Sequence, residues 1–309
     1  MSLYQKHRPS TLSEVVGNQK TISILEKYIS NELEGNKTMP HALLLTGETG
    51  CGKTTISRIL ANLLVKNAQN YIELDAADFR GIDMVRDLRK KCQYQPMGGG
   101  RRVYLLDECH KLTGDAQNAL LKLLEDPPYH TFFILATTNP QQLIPTIRGR
   151  CSHLKLNRLL DIEMSKLLRK TAKKEGVRLT VEVIDALVIA SQGHPRNGLT
   201  SLENVLAASE EDRVEVAAQA ERVKIDAIEL ARELLKPGGS WRKIAAILQG
   251  LKEENPESIR RLVIHYTQSI LLKSDNERAG LMLECFIEPN FTNGFPQLVY
   301  NSYQVYKEG

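Results

Sequence analysis

The chain has 309 residues, more than one hydrophobic core usually supports, so two or three domains are expected. Charged residues make up 25% and apolar residues 42%, ordinary values for a folded soluble protein, and a net charge of +4 is only mildly basic. No apolar run approaches the ~20 residues that cross a bilayer, and the N-terminal MSLYQKHRPSTL lacks the apolar stretch of a secretion signal. The five cysteines (51, 92, 109, 151 and 285) show no CxxC pairing, which argues against zinc and disulfides and predicts a reduced, cytoplasmic protein.

Residues 1–158 alternate compact apolar runs with helical patterns. The runs are HALLLT (41–46), NYIELDAA (70–77), RRVYLLDE (101–108), HTFFILATTN (130–139) and HLKL (153–156). They suit five strands of a parallel sheet buried on both faces, in an α/β domain whose sites lie at the carboxyl ends of the strands.

The first run opens into Gly47-Glu48-Thr49-Gly50-Cys51-Gly52-Lys53-Thr54, followed by Thr55 and a helical pattern. This fits GxxxxGK[ST] at every fixed position and predicts a phosphate-binding loop. Glycines let backbone N–H groups curl around an anion, and the helix N-terminus adds partial positive charge. Lys53 then reaches the β- and γ-phosphates, and Thr54 ligates Mg²⁺. No partner base is evident for Cys51, so a nucleophilic role is set aside.

Residues 78–102 hold seven basic and three acidic side chains, the basic set being Arg80, Arg86, Arg89, Lys90, Lys91, Arg101 and Arg102. Arg86 and Lys90 share one helix face. A solvated helix face is the plainer account of this segment. Gly98–Gly100 reads as a loop tip.

The run VYLLDECH ends in Asp107-Glu108, on a strand expected beside the phosphate-loop strand. Asp107 is the candidate Mg²⁺ partner and Glu108 the candidate to orient or deprotonate a water. His110 is read as structural. DAQNALLKLLED (115–126) is a helix stopped by Pro127-Pro128, and Ile147–Cys151 carries Arg148 and Arg150 around Gly149.

Beyond residue 159 the pattern is helical. Helices are predicted over 161–176, 180–193 with Thr180 as N-cap, and 195–209; a polar stretch, 210–224, is read as a boundary. Further helices follow over 226–236, from Trp241 with Ser240 as cap, after Asn255-Pro256, and near 276–288 and 296–307. The layout is 1–158, 159–222 and 223–309.

The segments YQKHRPSTLSEVVGNQ, GETGCGKTT, IELDAAD, RRVYLLDECHKLTGDAQNALLKLLEDPP, FFILATTNPQQLIPTIRGRC and GHPRNGL occur in this order. Together they resemble the AAA+ ATPase subunits of sliding-clamp loaders, bacterial gamma/tau and replication factor C small subunits. The resemblance is strong through about residue 205. It implies an AAA+ α/β domain, a small helical lid and an all-α C-terminal collar, with ATP and Mg²⁺ as ligands. It implies that Tyr4, His7, Arg8, Pro9, Val15 and Val16 line an adenine pocket. Thr138 or Asn139 matches sensor 1, with Thr138 preferred by spacing; Pro195-Arg196 supplies sensor 2; Arg150 matches an arginine finger acting on a neighbour.

The implied partners are a sliding clamp, primer–template DNA and other loader subunits in a ring-like, pentameric oligomer. Arg80, Arg86, Arg89 and Lys90 are the candidates for DNA contact, and the helix around 113–124 for the clamp. The chain departs from the family in three ways. It has Gly149 where a serine is usual, it lacks the four-cysteine zinc module of gamma/tau, and it lacks the tau-type extension. These point to a phage, archaeal-type or divergent bacterial subunit. A AAA+ helicase or branch-migration motor and a non-hydrolysing stator are the alternatives; the intact Lys53, Thr54, Asp107 and Glu108 count against the stator.

Overall fold

The computed structural model describes residues 1–35, 39–78, 81–288 and 294–308. The chain clusters into two compact units, Met1–Leu179 with Ser191–Glu203, and Thr180–Ala190 with Asn204–Gly309.

In the first unit the elements run α1 (Leu3–Lys6), α2 (Gln19–Leu33), β1 (Ala42–Thr46), α3 (Lys53–Leu64), β2 (Tyr71–Asp75), α4 (Ile82–Cys92), β3 (Arg102–Asp107), α5 (Gly114–Glu125), β4 (Thr131–Thr137), α6 (Pro145–Arg150), β5 (Ser152–Lys155) and α7 (Asp161–Lys174). The strands form one parallel sheet in the order β2-β3-β4-β1-β5. Strand side chains alternate between two cores. Leu43, Leu45, Leu105 and Ile134 pack with α2 and α3 on one face. Leu44, Leu106, Phe133 and Leu135 pack with α4, α5 and α6 on the other. Both faces of the central strands β1, β3 and β4 are covered, which is why these read as apolar runs, whereas the edge strands β2 and β5 keep polar residues.

The strand order corrects one expectation. The acidic strand β3 does not lie beside β1; β4 stands between them. Both β1 and β4 are buried along their whole length, so their composition does not distinguish their neighbours. The register aligns Thr46 with Thr137 and Leu106 with Leu135, so the carboxyl ends of all three strands finish level.

In the remainder, α8 (Val181–Ser191) and α9 (Pro195–Ala207) precede α10 (Arg213–Leu235), α11 (Trp241–Gly250), α12 (Pro256–Leu271), α13 (Glu277–Phe286) and α14 (Gly294–Glu308). Leu230, Leu234, Ile259, Val263, Met282, Phe286, Leu298 and Val305 form the core of the second unit. The buried Arg260 pairs bidentately with Glu257 and donates to the carbonyls of Phe286 and Ile287, satisfying the end of α13.

The polar stretch 210–224 is not a break. Most of it is the first half of the 23-residue helix α10, so the boundary expected at 222–223 falls inside that helix. A surface-facing first half carries polar residues as readily as a linker does. Thr180 and Asn255 cap their helices through their side chains, whereas Ser240 precedes α11 without a side-chain bond.

Candidate nucleotide-binding site

The loop after β1 is shaped by glycines. Gly47 has φ +152°, and a Cβ there would lie 2.4 Å from the Leu156 carbonyl oxygen, so glycine alone lets the loop pass this close to the chain leaving β5. Gly52, at φ +101°, turns the chain into α3, whose first N–H groups have no intrahelical partners. Lys53 is buried, and its Nζ donates to the carbonyls of Gly47 at 2.9 Å and Glu48 at 3.0 Å. Burial lowers its pKa, with Glu108 and Asp107 opposing the shift.

Thr54 Oγ1 donates to Asp107 Oδ2 at 2.7 Å, and Asp107 Oδ1 accepts the Glu108 N–H at 3.0 Å. Glu108 has φ +47°, a left-handed conformation that non-glycine residues rarely take outside functional turns. Its Oε2 accepts from Thr138 Oγ1 at 3.1 Å and lies 3.3 Å from His110 Nδ1. His110 Nδ1 is also 2.9 Å from Thr137 Oγ1. Burial lowers the His110 pKa, with Glu108 acting against it. Of the two sensor candidates, Thr138 reaches the acidic pair. Asn139 instead donates its backbone N–H to Thr137 Oγ1 at 3.0 Å.

A cavity of about 190 Å³ opens over the loop. Tyr4, His7, Arg8, Pro9, Val15 and Val16 form one wall, and Thr49 through Thr55 form the floor. Asp107, Glu108, Pro195 and Arg196 complete it. Arg196 stands with Cζ 5.6 Å from the Tyr4 ring centroid, a cation–π contact. The Arg8 pKa is lowered by burial first and then by the nearby Arg58, with Arg196 adding to the crowd of cations. Such a cluster favours a polyanion.

Of the predicted nucleotide contacts, Gly47 and Glu48 do not line the cavity. Gly47 is buttressed by Leu156, and the Glu48 carboxylate is held by Arg158 at 2.6–2.9 Å and lies 3.4 Å from His194 Nε2. Sequence reading missed the apolar wall of Leu159, Leu167 and Leu199. These residues carry no local signature, because apolar residues at helical spacing look the same whether they face a core or a ligand. It also missed a partner for Cys51: His194 Nδ1 stands 3.9 Å from Cys51 Sγ. Burial, and then Glu48, push that thiol's pKa up, which disfavours the nucleophilic thiolate.

The remaining candidates lie outside the cavity. Arg150 ends α6 and pairs with Glu125 at the end of α5. Cys151 is half-buried and precedes β5. Arg86, Arg89, Lys90 and Lys91 are exposed on α4, with Arg86 bonded to Asp83 at 3.0 Å. Arg80 lies outside the described residues. The last two of the basic set are structural: Arg101 grips the buried Glu32, and Arg102 donates to the carbonyls of Lys91, Tyr94 and Gln95.

A five-stranded parallel sheet, a glycine-shaped loop running into a helix and an acidic pair two strands away define a P-loop NTPase of the AAA+ type. The fold is similar to the RuvB Holliday junction branch migration motor of Thermotoga maritima, with a TM-score of 0.61 and 19% identity over 74% of this chain and 79% of that one. In sequence, the replication factor C small subunit of Methanococcus maripaludis is 35% identical over 239 residues, 76% of this chain and 74% of the relative. The DNA polymerase III subunit gamma/tau of Mycobacterium tuberculosis is 36% identical over 237 residues. That match takes in 69% of this chain and 40% of the relative, so the chain spans about two fifths of the gamma/tau length. The family described as DNA polymerase III, delta subunit matches residues 69–160, and Zeta toxin matches 28–97, a span that includes the loop. The chain belongs to the AAA+ ATPase subunits of sliding-clamp loaders.

Proposed function

We propose that this chain is an ATP-hydrolysing motor subunit that opens a sliding clamp and loads it onto primer–template DNA, working with other loader subunits in a ring-like, pentameric oligomer in the cytoplasm. The observation that carries the reading is the continuous line of contacts from Thr54 to Asp107, Glu108 and Thr138. It joins the start of α3 to the ends of β3 and β4, and Thr54, Asp107 and Glu108 line the cavity.

The residues present fit ATP and magnesium. The apolar wall of Val15, Val16, Leu159, Leu167 and Leu199 suits a base. The helix N-terminus, Lys53 and Arg196 suit phosphates. Thr54 and Asp107 offer two oxygens side by side for magnesium, which when bound supplies positive charge against phosphate oxygens. Glu108 takes the proton of the attacking water, with Thr138 holding its carboxylate. Arg150 crosses to a neighbouring subunit and stabilises charge at that subunit's site. The lid is assigned to the helices that begin after residue 159 and the collar to the helices that follow α10. The exposed cations of α4 face DNA phosphates, and the helix around 113–124 meets the clamp.

ATP turnover of the purified protein, alone and with its clamp and primed DNA, tests the reading. Stimulation by the two together is expected, and Lys53→Ala abolishes turnover. No stimulation by that pair would overturn the loader assignment, and unchanged turnover in Lys53→Ala would overturn the site.

A further inference from the structure

His110, read from the sequence as structural, meets the end of the acidic strand and the end of β4 at two points. The chain turns back after Glu108 through a short 3-10 segment, Cys109–Lys111, closed by the Lys111 N–H donating to the Glu108 carbonyl at 2.9 Å. That turn carries the imidazole back against its own strand end, where the side chain is 10% exposed. Nδ1 stands 2.9 Å from Thr137 Oγ1 and 3.3 Å from Glu108 Oε2.

A bare Nδ1 lone pair at that distance from a carboxylate oxygen would be repelled. The Nδ1–H tautomer suits both neighbours, because each is an oxygen able to accept. Thr138 Oγ1 donates to the same Oε2 at 3.1 Å. Two donors thus converge on one carboxylate oxygen. Among the described residues, Oε1 has no hydrogen-bond partner, and Glu108 lines the cavity. The pair therefore fixes the carboxylate by one oxygen and leaves the other for water.

We propose that His110 is a positioning residue for ATP hydrolysis: its Nδ1–H, bridging Thr137 and Glu108, sets which carboxylate oxygen of Glu108 faces the water. The inference rests on the reading of Glu108 as the proton acceptor. It concerns orientation and not affinity, so kcat and KM should separate.

The test is a set of variants in the full chain, assayed for ATP turnover and for binding of a fluorescent ATP analogue. His110→Ala should lower kcat about 10- to 100-fold, as loss of an orienting partner typically does, with the analogue's Kd within about twofold of the parent. His110→Asn places an amide N–H near the position of Nδ1 and should recover most of kcat. His110→Gln reaches the Nε2 position instead and should not. Equal activity of His110→Ala and the parent would overturn the proposal, as would Asn performing no better than Gln. A Kd that worsens in step with kcat would also overturn it, marking a merely structural histidine. Glu108→Gln separates the two levels of the reading. If that variant turns over ATP normally, the proton-acceptor assignment fails. If it binds the analogue without turnover while His110→Ala is fully active, only the positioning role fails.

Discussion

Thr54 Oγ1 donates to Asp107 Oδ2 across 2.7 Å, joining the start of α3 to the end of β3 over 53 residues of sequence. The fold alone brings together the two groups proposed as magnesium partners. Thr54→Ala should raise the Kd for ATP about tenfold when measured with Mg²⁺. It should leave the Kd measured in a chelator unchanged. Equal weakening under both conditions would mean that Thr54 acts on the shape of the loop and not on the metal.

Arg150 and Glu125 pair with their side chains 37% and 45% exposed. Exposed pairs contribute only ~0.2–1 kcal/mol, so the guanidinium leaves Glu125 at little cost when a neighbour offers a stronger anion. Arg150→Ala should keep the fold's stability within about 1 kcal/mol and bind ATP as the parent does. In mixed oligomers it should depress turnover at the adjoining site by a factor on the order of 10³. Mixed oligomers that hydrolyse at full rate would contradict the assignment.

The exposed cations of α4 give a salt-dependent prediction. Replacing Arg86, Arg89 and Lys90 together by alanine should weaken binding to primed duplex DNA of any sequence. The slope of log K against log salt should flatten by about 0.9 for each phosphate that is no longer neutralised. Replacing Arg102 should act differently, loosening the turn after α4, because its guanidinium donates to the Lys91, Tyr94 and Gln95 carbonyls. An unchanged slope in the triple variant would remove α4 from the DNA path.

The N-terminal wall of the cavity is tied down by Glu175, which accepts from Lys6 and pairs with His7. The Lys6 and His7 hydrogen bonds hold the Glu175 carboxyl below its ordinary pKa. A depressed folded-state pKa means that the contribution is present above the unfolded value of 4.5 and is lost as pH falls through the folded one. Glu175→Gln should therefore melt slightly lower than the parent at pH 7 and bind nucleotide a few-fold more weakly. The melting difference should close as pH drops below about 4. A difference that persists in acid would assign the effect to packing.

Gly149 is the position where the chain leaves its family pattern. It sits in α6 without a positive φ, and a side chain's Cβ there would meet no atom within 4 Å. Nothing in the backbone demands glycine, so Gly149→Ser should fit and stabilise the helix by roughly 0.5 kcal/mol. Thermal melting checks it, and a lower melting temperature would reveal a constraint on the glycine. Nothing in the structure explains why the serine was replaced.

What could be read from sequence followed a simple physical divide. The central strands β1, β3 and β4 announced themselves because parallel strands buried on both faces leave few polar residues to confuse the pattern. The loop announced itself because backbone wrapped around phosphate requires glycines at fixed spacing. The N-terminal wall and Arg196 were legible only by resemblance, since an isolated Tyr4 or Arg196 has no spacing to recommend it. The place of β4 between β1 and β3 was not legible, because two wholly apolar strands can exchange places without altering composition. Leu159, Leu167 and Leu199 were invisible because apolar residues at helical spacing look the same in a core and in a ligand wall, and the basic set did not reveal that Arg101 and Arg102 serve Glu32 and three carbonyls. The contacts of His110 left no mark in the sequence, because Thr137 reaches it only across the sheet.

The position of β4 has an evolutionary corollary. The phosphate loop and the acidic pair are the signatures by which chains of this kind are recognised, but Glu108 is held by Thr138, and through His110 by Thr137, at the end of a strand that carries neither. A duplicated copy of this gene could fall silent as a hydrolase by drift at Thr137 and Thr138 alone, keeping both signatures intact. Genomes scanned for the signatures would count such a copy as a working motor, and the end of β4 is where it would be told apart.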